Sequence, residues 1–440
     1  MVRERARCRD DLAPRQHRRE DHSSSGSSVV CCQRGIDLYC SIDGHFAKHS
    51  AERRHRGDGV ELNGGLMVSR LAPRFVLLCA VVILMKGPVG AAEVLSGNLA
   101  GTDTGNDSTE LNENFSPPVF GAFVLMTGDA TDLTSIPDGN GTGDIFLRNI
   151  ETGTTQLVSV DLSGTAAGNG QSWAPQMSSD GRYVVFVSEA DNLVSNDTNG
   201  AVADVFVRDM LLGVTSLVSV GLSGNSGNDE SEISDNSISP DGRFVVFGSD
   251  ATDLTSETDV NDRGDVFVRD LVNNETTLVS VDVSGLSTGD GQAKEGSITP
   301  DGRYVLFHSN ATNLVPIDTN DETDAFRRDM LTGTTELVSV NVAGTDSGND
   351  YSYSGALSAD GNVAFFESRS SDLTSIPDGN ATVDVFVRDM AAGITTMIST
   401  NSVGTAAANG QSAESSAGMT PDGSRIVFRS EAVDLHPLDT

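Results

Sequence analysis

The chain has 440 residues, with 63 acidic and 29 basic side chains and a net charge of −34 at pH 7. The charge is uneven, because residues 93–440 carry 53 acidic and 14 basic side chains. Such an acidic surface repels phosphate backbones and excludes nucleic acid as a partner, whereas it favours cations and basic partners. All five cysteines lie before residue 93, which excludes thiol catalysis and thiolate metal sites from the remainder.

A short apolar segment separates the basic and acidic parts of the chain. After Met67 come two arginines, then an apolar run at 75–85, then small residues up to position 92. This layout is typical of a secretory signal peptide, and the run is shorter than the roughly 20 residues that span a bilayer. We predict a signal peptide at 67–92, with a signal anchor as the alternative. Residues 1–66 are then disordered or precede the true start, and the mature chain is periplasmic, at the cell surface or secreted.

Residues 93–440 form a repeat of about 60 residues. The copies contain SSDGRYVVF, SPDGRFVVF, TPDGRYVLF, SADGNVAFF and TPDGSRIVF, and their turn acids are Asp180, Asp241, Asp301, Asp360 and Asp422. A degenerate copy begins at Ser116 and lacks the Asp-Gly turn. The sequence places the repeats near 116–171, 172–233, 234–294, 295–353 and 354–411, with a partial repeat at 412–440.

Each copy predicts four β-strands, which we label a to d. Asp-Gly between two strand-like runs indicates a hairpin, and the β-branched and aromatic residues favour strands. Strand b is apolar on both faces, as is typical of a strand between neighbouring sheets, whereas strand d mixes polar and apolar residues. Four antiparallel strands repeated at this interval favour an all-β fold, a β-propeller of four-stranded blades.

The repeat also resembles a known family. The pattern SPDGRFVVF…DVFVRDL…TTLVS is similar to the WD40-like repeats of TolB-type β-propellers, in which the Ser-Pro-Asp-Gly turn joins the inner strands. The resemblance covers residues 93–440 and implies the propeller fold. The mature start EVLSGNLAGTDTGND matches the segment at 336–350, which is strand d plus its linker. We therefore expect six blades, the last one closed by the N-terminal strand and either short or cut by the end of the chain.

One repeated constellation has oxygen ligands, in the loop between strands b and c. It has the form Asp-x-Asn followed by a second Asp four or five residues after the Asn. Alternating oxygen ligands suit calcium, but Asp and Asn also form turns by bonding to nearby backbone, so a turn without metal is the favoured alternative. The candidate calcium ligands are Asp138, Asn140, Asp144, Asp197, Asn199, Asp204, Asp259, Asn261, Asp265, Asp318, Asn320, Asp324, Asp378, Asn380 and Asp384.

Catalytic motifs are scarce after residue 92. The only histidines there are His308 and His436, and neither a Gly-x-Ser-x-Gly elbow nor a phosphate-binding loop occurs. Glycan hydrolysis by two carboxylates needs neither motif and stays open. Four residues break the repeat, with surface drift as the favoured interpretation: Trp173, Lys294, His308 and Arg327. The arginine of strand c is expected to pair with acids of adjoining strands.

The sequence thus predicts an exported acidic β-propeller that acts as a non-enzymatic scaffold for binding proteins or ligands. We expect a monomer that contacts a protein or another envelope component through the loops at its faces. After signal cleavage we expect no stable membrane span. The alternatives are a calcium-stabilised surface adhesion protein and a glycan-active enzyme with carboxylate catalysis.

Overall fold

The computed structural model describes residues 30–34, 37–42, 45–46, 83–85, 92–94, 96, 98–99, 105–111, 119–120 and 122–437. Most of the predicted leader at 1–66 and signal peptide at 67–92 lies outside these residues, so both stay predictions, as do the domain boundaries. In the described part of the chain, no helix has the length and hydrophobicity needed to cross a membrane.

The chain divides into two compact units, Met1–Val76 with Met85–Glu93, and Leu77–Leu84 with Val94–Thr440. The first unit contains an antiparallel sheet of three strands, β1 (Val30–Arg34), β2 (Asp37–Ile42) and β3 (His45–Phe46). Two short strands follow in the chain, β4 (Ile83–Met85) and β5 (Ala92–Val94).

The second unit is a succession of antiparallel sheets. The strands of the first sheet are β6 (Thr109–Leu111), β7 (Val119–Phe120), β8 (Phe123–Gly128), β9 (Asp144–Asn149) and β10 (Thr154–Leu157). Its order is β10-β9-β8-β6, and β7 also pairs with β8.

Four sheets of four strands follow, each in the order in which the chain runs. Their strands are β11 (Ser172–Met177), β12 (Tyr183–Ser188), β13 (Asp204–Asp209) and β14 (Val214–Leu217); β15 (Ser231–Glu232), β16 (Phe244–Ser249), β17 (Asp265–Asp270) and β18 (Glu275–Leu278); β19 (Ala293–Ile298), β20 (Tyr304–Ser309), β21 (Asp324–Asp329) and β22 (Thr334–Leu337); β23 (Ser352–Leu357), β24 (Val363–Ser368), β25 (Asp384–Asp389) and β26 (Ile394–Met397). A two-stranded sheet of β27 (Ser412–Met419) and β28 (Ile426–Ser430) comes last.

The predicted Asp-Gly turn joins strands a and b. In the third sheet the hydroxyl of Ser239 donates to Asp241 Oδ1 over 2.6 Å, and Oδ1 also accepts from the backbone N–H of Arg243. Gly242 has a φ of +73°, and a Cβ there would lie 2.2 Å from the ring of Tyr183 in the preceding sheet. Glycine is therefore required both by the left-handed backbone and by the close approach of the preceding blade.

The hydrophobic core lies between neighbouring sheets. Val184, Val185 and Phe186 of strand b are fully buried, and Phe186 stacks on Phe206 of strand c with ring centroids 5.9 Å apart. One cluster joins Val184, Phe186 and Phe206 to Leu125 of the preceding sheet, and another joins Val185 to Val245 of the following sheet. Strand b is thus covered on both faces, which confirms the arrangement expected from its sequence.

Arginines tie the strands together, but not as the sequence suggested. The expected partners of the strand c arginine were acids, whereas Arg208 Nη1 donates to the hydroxyl of Thr215 on strand d over 2.8 Å. The carboxylate of Asp209 pairs instead with Arg182 of the a–b turn, at 2.7 Å. Successive side chains of a strand point to opposite faces, so Arg208 and Asp209 belong to different networks.

These contacts establish the architecture of the second unit. The N–H of Gly296 on β19 donates to Ser234 Oγ, just after β15, over 3.1 Å, so first strands of neighbouring sheets touch. Strand d alternates exposed and covered residues in every sheet, as expected at an outer edge. The structure thereby confirms the all-β class and the four-stranded antiparallel blades of a β-propeller. A sixth blade completed by the N-terminal strand stays a prediction.

Candidate functional site

The loop between strands b and c is organised by its asparagine. In the first sheet the Asn140 amide donates to Asp144 Oδ2 over 3.2 Å and to the carbonyl of Gly168 over 2.8 Å. Its Oδ1 accepts from the backbone N–H of Thr142 over 2.8 Å, and its own N–H donates to Asp138 Oδ1. Each polar atom of this side chain bonds to the protein, which is the behaviour of a turn-forming residue.

The second Asp of each loop opens strand c and lies in the core. Asp204 is fully buried, and its Oδ1 accepts from the Ser219 hydroxyl over 2.5 Å. The same Ser219 oxygen accepts from the backbone N–H of Val205 over 3.0 Å. Five sheets share this arrangement, with the pairs Asp144–Ser159, Asp204–Ser219, Asp265–Ser280, Asp324–Ser339 and Asp384–Ser399.

Burial changes the protonation of these carboxyls. It is the main cause that raises their pKa, to about 7 for Asp144, Asp204 and Asp324, about 8 for Asp265 and about 6 for Asp384. The serine hydroxyl opposes this rise, because it donates to the ionised form. The first Asp of the loop adds a smaller contribution, since its negative charge disfavours a second one nearby.

The first Asp of the loop is less uniform. Burial raises the pKa of Asp197 and of Asp318 to about 6, and it raises the pKa of Asp138 and Asp378 as well. In the third sheet, Asp259 Oδ1 accepts from the backbone N–H groups of residues 261 and 262, over 3.0 and 3.1 Å. The structure therefore brings the three predicted residues of each loop together, one trio per sheet.

The five loops are not equivalent in their hydrogen bonds. The asparagine amide donates to the second Asp from Asn140, Asn199 and Asn380. Those three amides also donate to a carbonyl, whereas Asn261 donates to the carbonyls of residues 289 and 291 and Asn320 to the carbonyl of Gly348 without a bond to the second Asp. Among the described residues no group of three or more His, Cys, Asp or Glu side chains is placed to hold a metal ion. Any cation in these loops would therefore need further oxygen ligands from carbonyls, hydroxyls or water.

A second candidate site lies on the first strands, where the repeat is broken. Trp173, Glu232, Lys294 and Tyr353 occupy the same register position, each one residue after the start of strand a. We call these four residues the first-strand set. The position before it is nearly constant. In the second sheet it is Ser172, whose hydroxyl hydrogen-bonds to that of Ser188 across strands a and b over 2.9 Å.

The first-strand set lies beside the b–c loops. The residue that begins each strand a donates its N–H to the carbonyl just before the strand c Asp of the preceding sheet. For example, Ser172 donates to Gly143 over 2.8 Å and Ser231 to Ala203 over 2.8 Å. The loops and the first-strand set thus belong to the same end of the blades.

The richest part of this site lies between the fourth and fifth sheets. His308 Nδ1 is 3.1 Å from Ser354 Oγ, and its ring meets that of Tyr353 edge-on, with centroids 5.0 Å apart. Tyr351 lies against Tyr353 at 5.1 Å. Burial, with a smaller contribution from the nearby charge of Lys294, lowers the pKa of His308 to about 4, so the imidazole is neutral at pH 7.

Two repeat-breaking residues are buried, which corrects the expectation of surface drift. His308 and Arg327 are each 7% exposed, because strands b and c lie between sheets. Arg327 pairs with Glu336, donates to the carbonyl of Gly361 and stacks over Tyr304, at 4.5 Å from the ring centroid. Glu232 and Tyr353 were not among the residues predicted from the sequence, although an alignment of the first strands on their leading small residue identifies both.

Comparisons with known proteins bear on the fold alone. No protein-family model and no curated protein matches the chain. The solved structures similar to it include TolB from Acinetobacter baumannii, at 17% identity over 66% of this chain and 60% of that chain, with a TM-score of 0.35. They also include the β-propeller domain of the trilobed protease from Pyrococcus furiosus, at 10% identity over 62% and 67%, with a TM-score of 0.34.

A third similar structure comes from an analysis of two prolyl endopeptidases, at 12% identity over 72% of this chain and 39% of that chain, with a TM-score of 0.44. TolB and other β-propellers thus stand among the similar folds, in agreement with the resemblance of the repeat. The match to TolB from Acinetobacter baumannii spans less than two thirds of that protein's length. Similarities of this size assign no activity and no partner.

Proposed function

We propose that the chain is an exported β-propeller scaffold without enzymatic activity, which binds a protein or ligand of the cell envelope or its surroundings. The first-strand set is the observation that carries this proposal. Within a repeat, positions needed for folding keep the same or a similar residue, as the small residue before this position does: it is Ser172, Ser231, Ala293 and Ser352. The next position instead changes from Trp173 to Glu232, Lys294 and Tyr353, although each of these lies opposite the equivalent position of strand b.

The chemistry of the set suits recognition. Tyr353 is 43% exposed, and Lys294 and Glu232 are also exposed. Exposed aromatic rings offer large contact areas at low entropy cost, and they are enriched where proteins bind partners. Lys294 is the only lysine after residue 92, so it provides a positive charge on an otherwise acidic surface. The partner would therefore have an apolar or aromatic group next to an acidic one.

The buried carboxyls give no support to an enzyme. The carboxyls whose pKa is raised to about 7 include Asp144 and Asp204, which have the protonation behaviour of a general acid. A general acid must come within hydrogen-bond reach of its substrate. These carboxyls are fully buried and are bonded to serine hydroxyls, so substrate cannot approach them. Their role in the proposal is structural.

The test is partner capture with a matched control. The full chain is immobilised and exposed to envelope extract, alongside two double variants. One combines Lys294→Ala with Tyr353→Ala, and the other combines Glu275→Ala with Ile394→Ala. The second pair removes exposed side chains from fourth strands at the outer edge. We expect a partner that the original chain and the outer-edge variant retain, and that the first-strand variant loses. Equal capture by all three proteins would contradict the proposal.

The enzyme alternative has its own experiment. The full chain is incubated at high concentration with a panel of glycans and peptides, and products are followed by mass spectrometry. We expect no turnover above that of a heat-treated sample. Turnover that persists in repurified protein would replace the scaffold proposal with an enzymatic one.

A further inference from the structure

The b–c loop of the fourth sheet leaves two buried carboxylate oxygens without a hydrogen-bond donor. Asp318 is 5% exposed and Asp324 is fully buried. Oδ1 of Asp318 accepts from the Ser347 hydroxyl over 3.1 Å, and Oδ1 of Asp324 accepts from the Ser339 hydroxyl over 2.5 Å. Oδ2 of both carboxylates is buried and accepts no hydrogen bond. A buried polar atom in this condition is costly unless a ligand completes it.

The open oxygen of Asp318 has counterparts in other loops, since Oδ2 of Asp138, Asp197 and Asp378 is also buried without a donor, whereas the open oxygen of Asp324 is particular to this loop. In three other loops the amide of the central Asn donates to Oδ2 of the second Asp, as Asn199 does to Asp204 over 2.9 Å. In the fourth loop the Asn320 amide donates to the carbonyl of Gly348 over 2.6 Å, and its Oδ1 accepts from the N–H of Glu322. The amides of Asn140, Asn199 and Asn380 donate to the equivalent carbonyl as well as to the carboxylate. The fourth loop keeps only the carbonyl bond, so Asp324 Oδ2 has no hydrogen-bond donor.

No basic side chain compensates for the two carboxylates. The ion pairs formed by described residues involve neither Asp318 nor Asp324. The charges that act on Asp318 come from Asp346 and Asp290, both negative. Two buried like charges without a counter-ion are strongly unfavourable, so a cation in this loop would relieve both the repulsion and the two orphaned oxygens.

We propose that the b–c loop of the fourth sheet binds one Ca²⁺ ion, with Asp318 and Asp324 as its carboxylate ligands through their Oδ2 atoms. Calcium prefers oxygen ligands and accepts flexible coordination with carbonyl and water oxygens, whereas Mg²⁺ demands near-ideal octahedral geometry. The loop supplies oxygen donors only. Since only two carboxylates would hold the ion, its affinity belongs to the weak class typical of extracellular modules, with a Kd of about 0.1–1 mM.

The test measures calcium bound to the full chain by equilibrium dialysis at pH 7.5, after treatment with chelator. We expect one saturable site per chain, lost in both Asp318→Asn and Asp324→Asn. The control Glu322→Gln removes a negative charge from an exposed position of the same loop, and it should bind as the original chain does. Asparagine preserves the shape of the side chain, and circular dichroism checks that each variant folds.

A melting experiment provides a second measurement. Calcium at ten times its Kd should raise the Tm of the full chain by about 2 °C, and of Asp324→Asn not at all. The proposal is overturned if no saturable binding occurs, if both Asp variants bind like the original chain, or if magnesium binds equally well. Five ions per chain would also overturn it, because binding would then follow the repeated motif and not this loop.

Discussion

The serine that faces the buried carboxylate of strand c makes two bonds that the fold needs. In the second sheet the fully buried Ser219 hydroxyl donates to Asp204 over 2.5 Å and accepts from the N–H of Val205 over 3.0 Å. Ser219→Ala removes both bonds. An orphaned buried N–H costs about 1–3 kcal/mol, and a lost hydrogen bond to a charged group about 1.5–3 kcal/mol. We expect a loss of about 3–5 kcal/mol in the free energy of unfolding at pH 8.

The loss should depend on pH. Burial raises the pKa of Asp204 to about 7 in the folded state, from its ordinary value of 3.8, while the Ser219 hydroxyl lowers it. At pH 8 the carboxyl is ionised and needs the hydroxyl as a donor. At pH 5 it is protonated in the folded protein, so the bond that the variant loses is between neutral groups and weaker. We therefore expect a loss of about 2 kcal/mol at pH 5, mostly from the orphaned N–H.

Urea denaturation of the full chain at the two pH values measures both quantities, with chelator present throughout. Ser216→Ala is the matched control, because Ser216 is exposed on β14, which ends at Leu217 shortly before Ser219, and the substitution should change stability by at most about 0.5 kcal/mol. If Ser219→Ala behaves like this control, the buried network contributes nothing to stability. If its cost is equal at pH 5 and pH 8, the reasoning about ionisation is wrong.

Three further outcomes test the packing and the electrostatics. In chelator, the Tm should fall from pH 5 to pH 8. The strand c carboxyls have raised pKa values in the folded state, so the stability that they contribute is lost as the pH rises from their unfolded pKa through about 6–8. Differential scanning fluorimetry checks this. Gly242→Ala should cost over 2 kcal/mol, whereas Gly224→Ala, with the same positive φ but open space around it, should cost about 1 kcal/mol. Arg327→Ala should cost about 3 kcal/mol because it removes a buried guanidinium that donates to the Gly361 carbonyl and stacks over Tyr304, whereas Arg303→Ala, whose side chain is 39% exposed, should cost under about 1 kcal/mol; urea denaturation separates each of these pairs.

The strands and their turns could be predicted from the sequence because they depend on local patterns. Runs of β-branched and aromatic residues define strands b and c, and the Asp-Gly pair defines the turn between strands a and b. The alternation of side chains along a strand could have corrected the partner of the strand c arginine. Arg208 and Asp209 point to opposite faces, so Arg208 meets the residue directly across from it, which is Thr215. The expectation that this arginine pairs with an acidic residue, which rested on the attraction between opposite charges, was wrong for Arg208.

The differences between the loops could not be predicted, since five similar sequences form different hydrogen bonds. Every one of the five Asn amides donates to a carbonyl about 28 residues further along the chain, but only three also donate to the second Asp, and that difference depends on tertiary packing. Both loops in which the amide does not donate to the carboxylate have an Asp directly after the Asn, namely Asp262 and Asp321. Both of these residues have a positive φ, as do their counterparts Gly141, Gly200 and Ala381, so backbone conformation alone does not explain the difference.

The proposed calcium loop and the first-strand set are joined by one backbone bond, so the two should be coupled. The N–H of Ser352 donates over 2.6 Å to the carbonyl of Thr323, which directly precedes Asp324. Ser352 in turn directly precedes Tyr353. An ion held by Asp324 would fix this carbonyl and with it the start of the strand that carries Tyr353, so less ordering is left for a partner to impose.

Partner capture should therefore weaken in chelator, recover with millimolar calcium, and become insensitive to calcium in Asp324→Asn. Glu322→Gln should behave as the original chain does. Because binding and coupling are reciprocal, the captured partner should also tighten calcium binding by the same factor. Equal capture with and without calcium, in a chain that binds the ion, would show that the loop stabilises its own blade without influencing recognition.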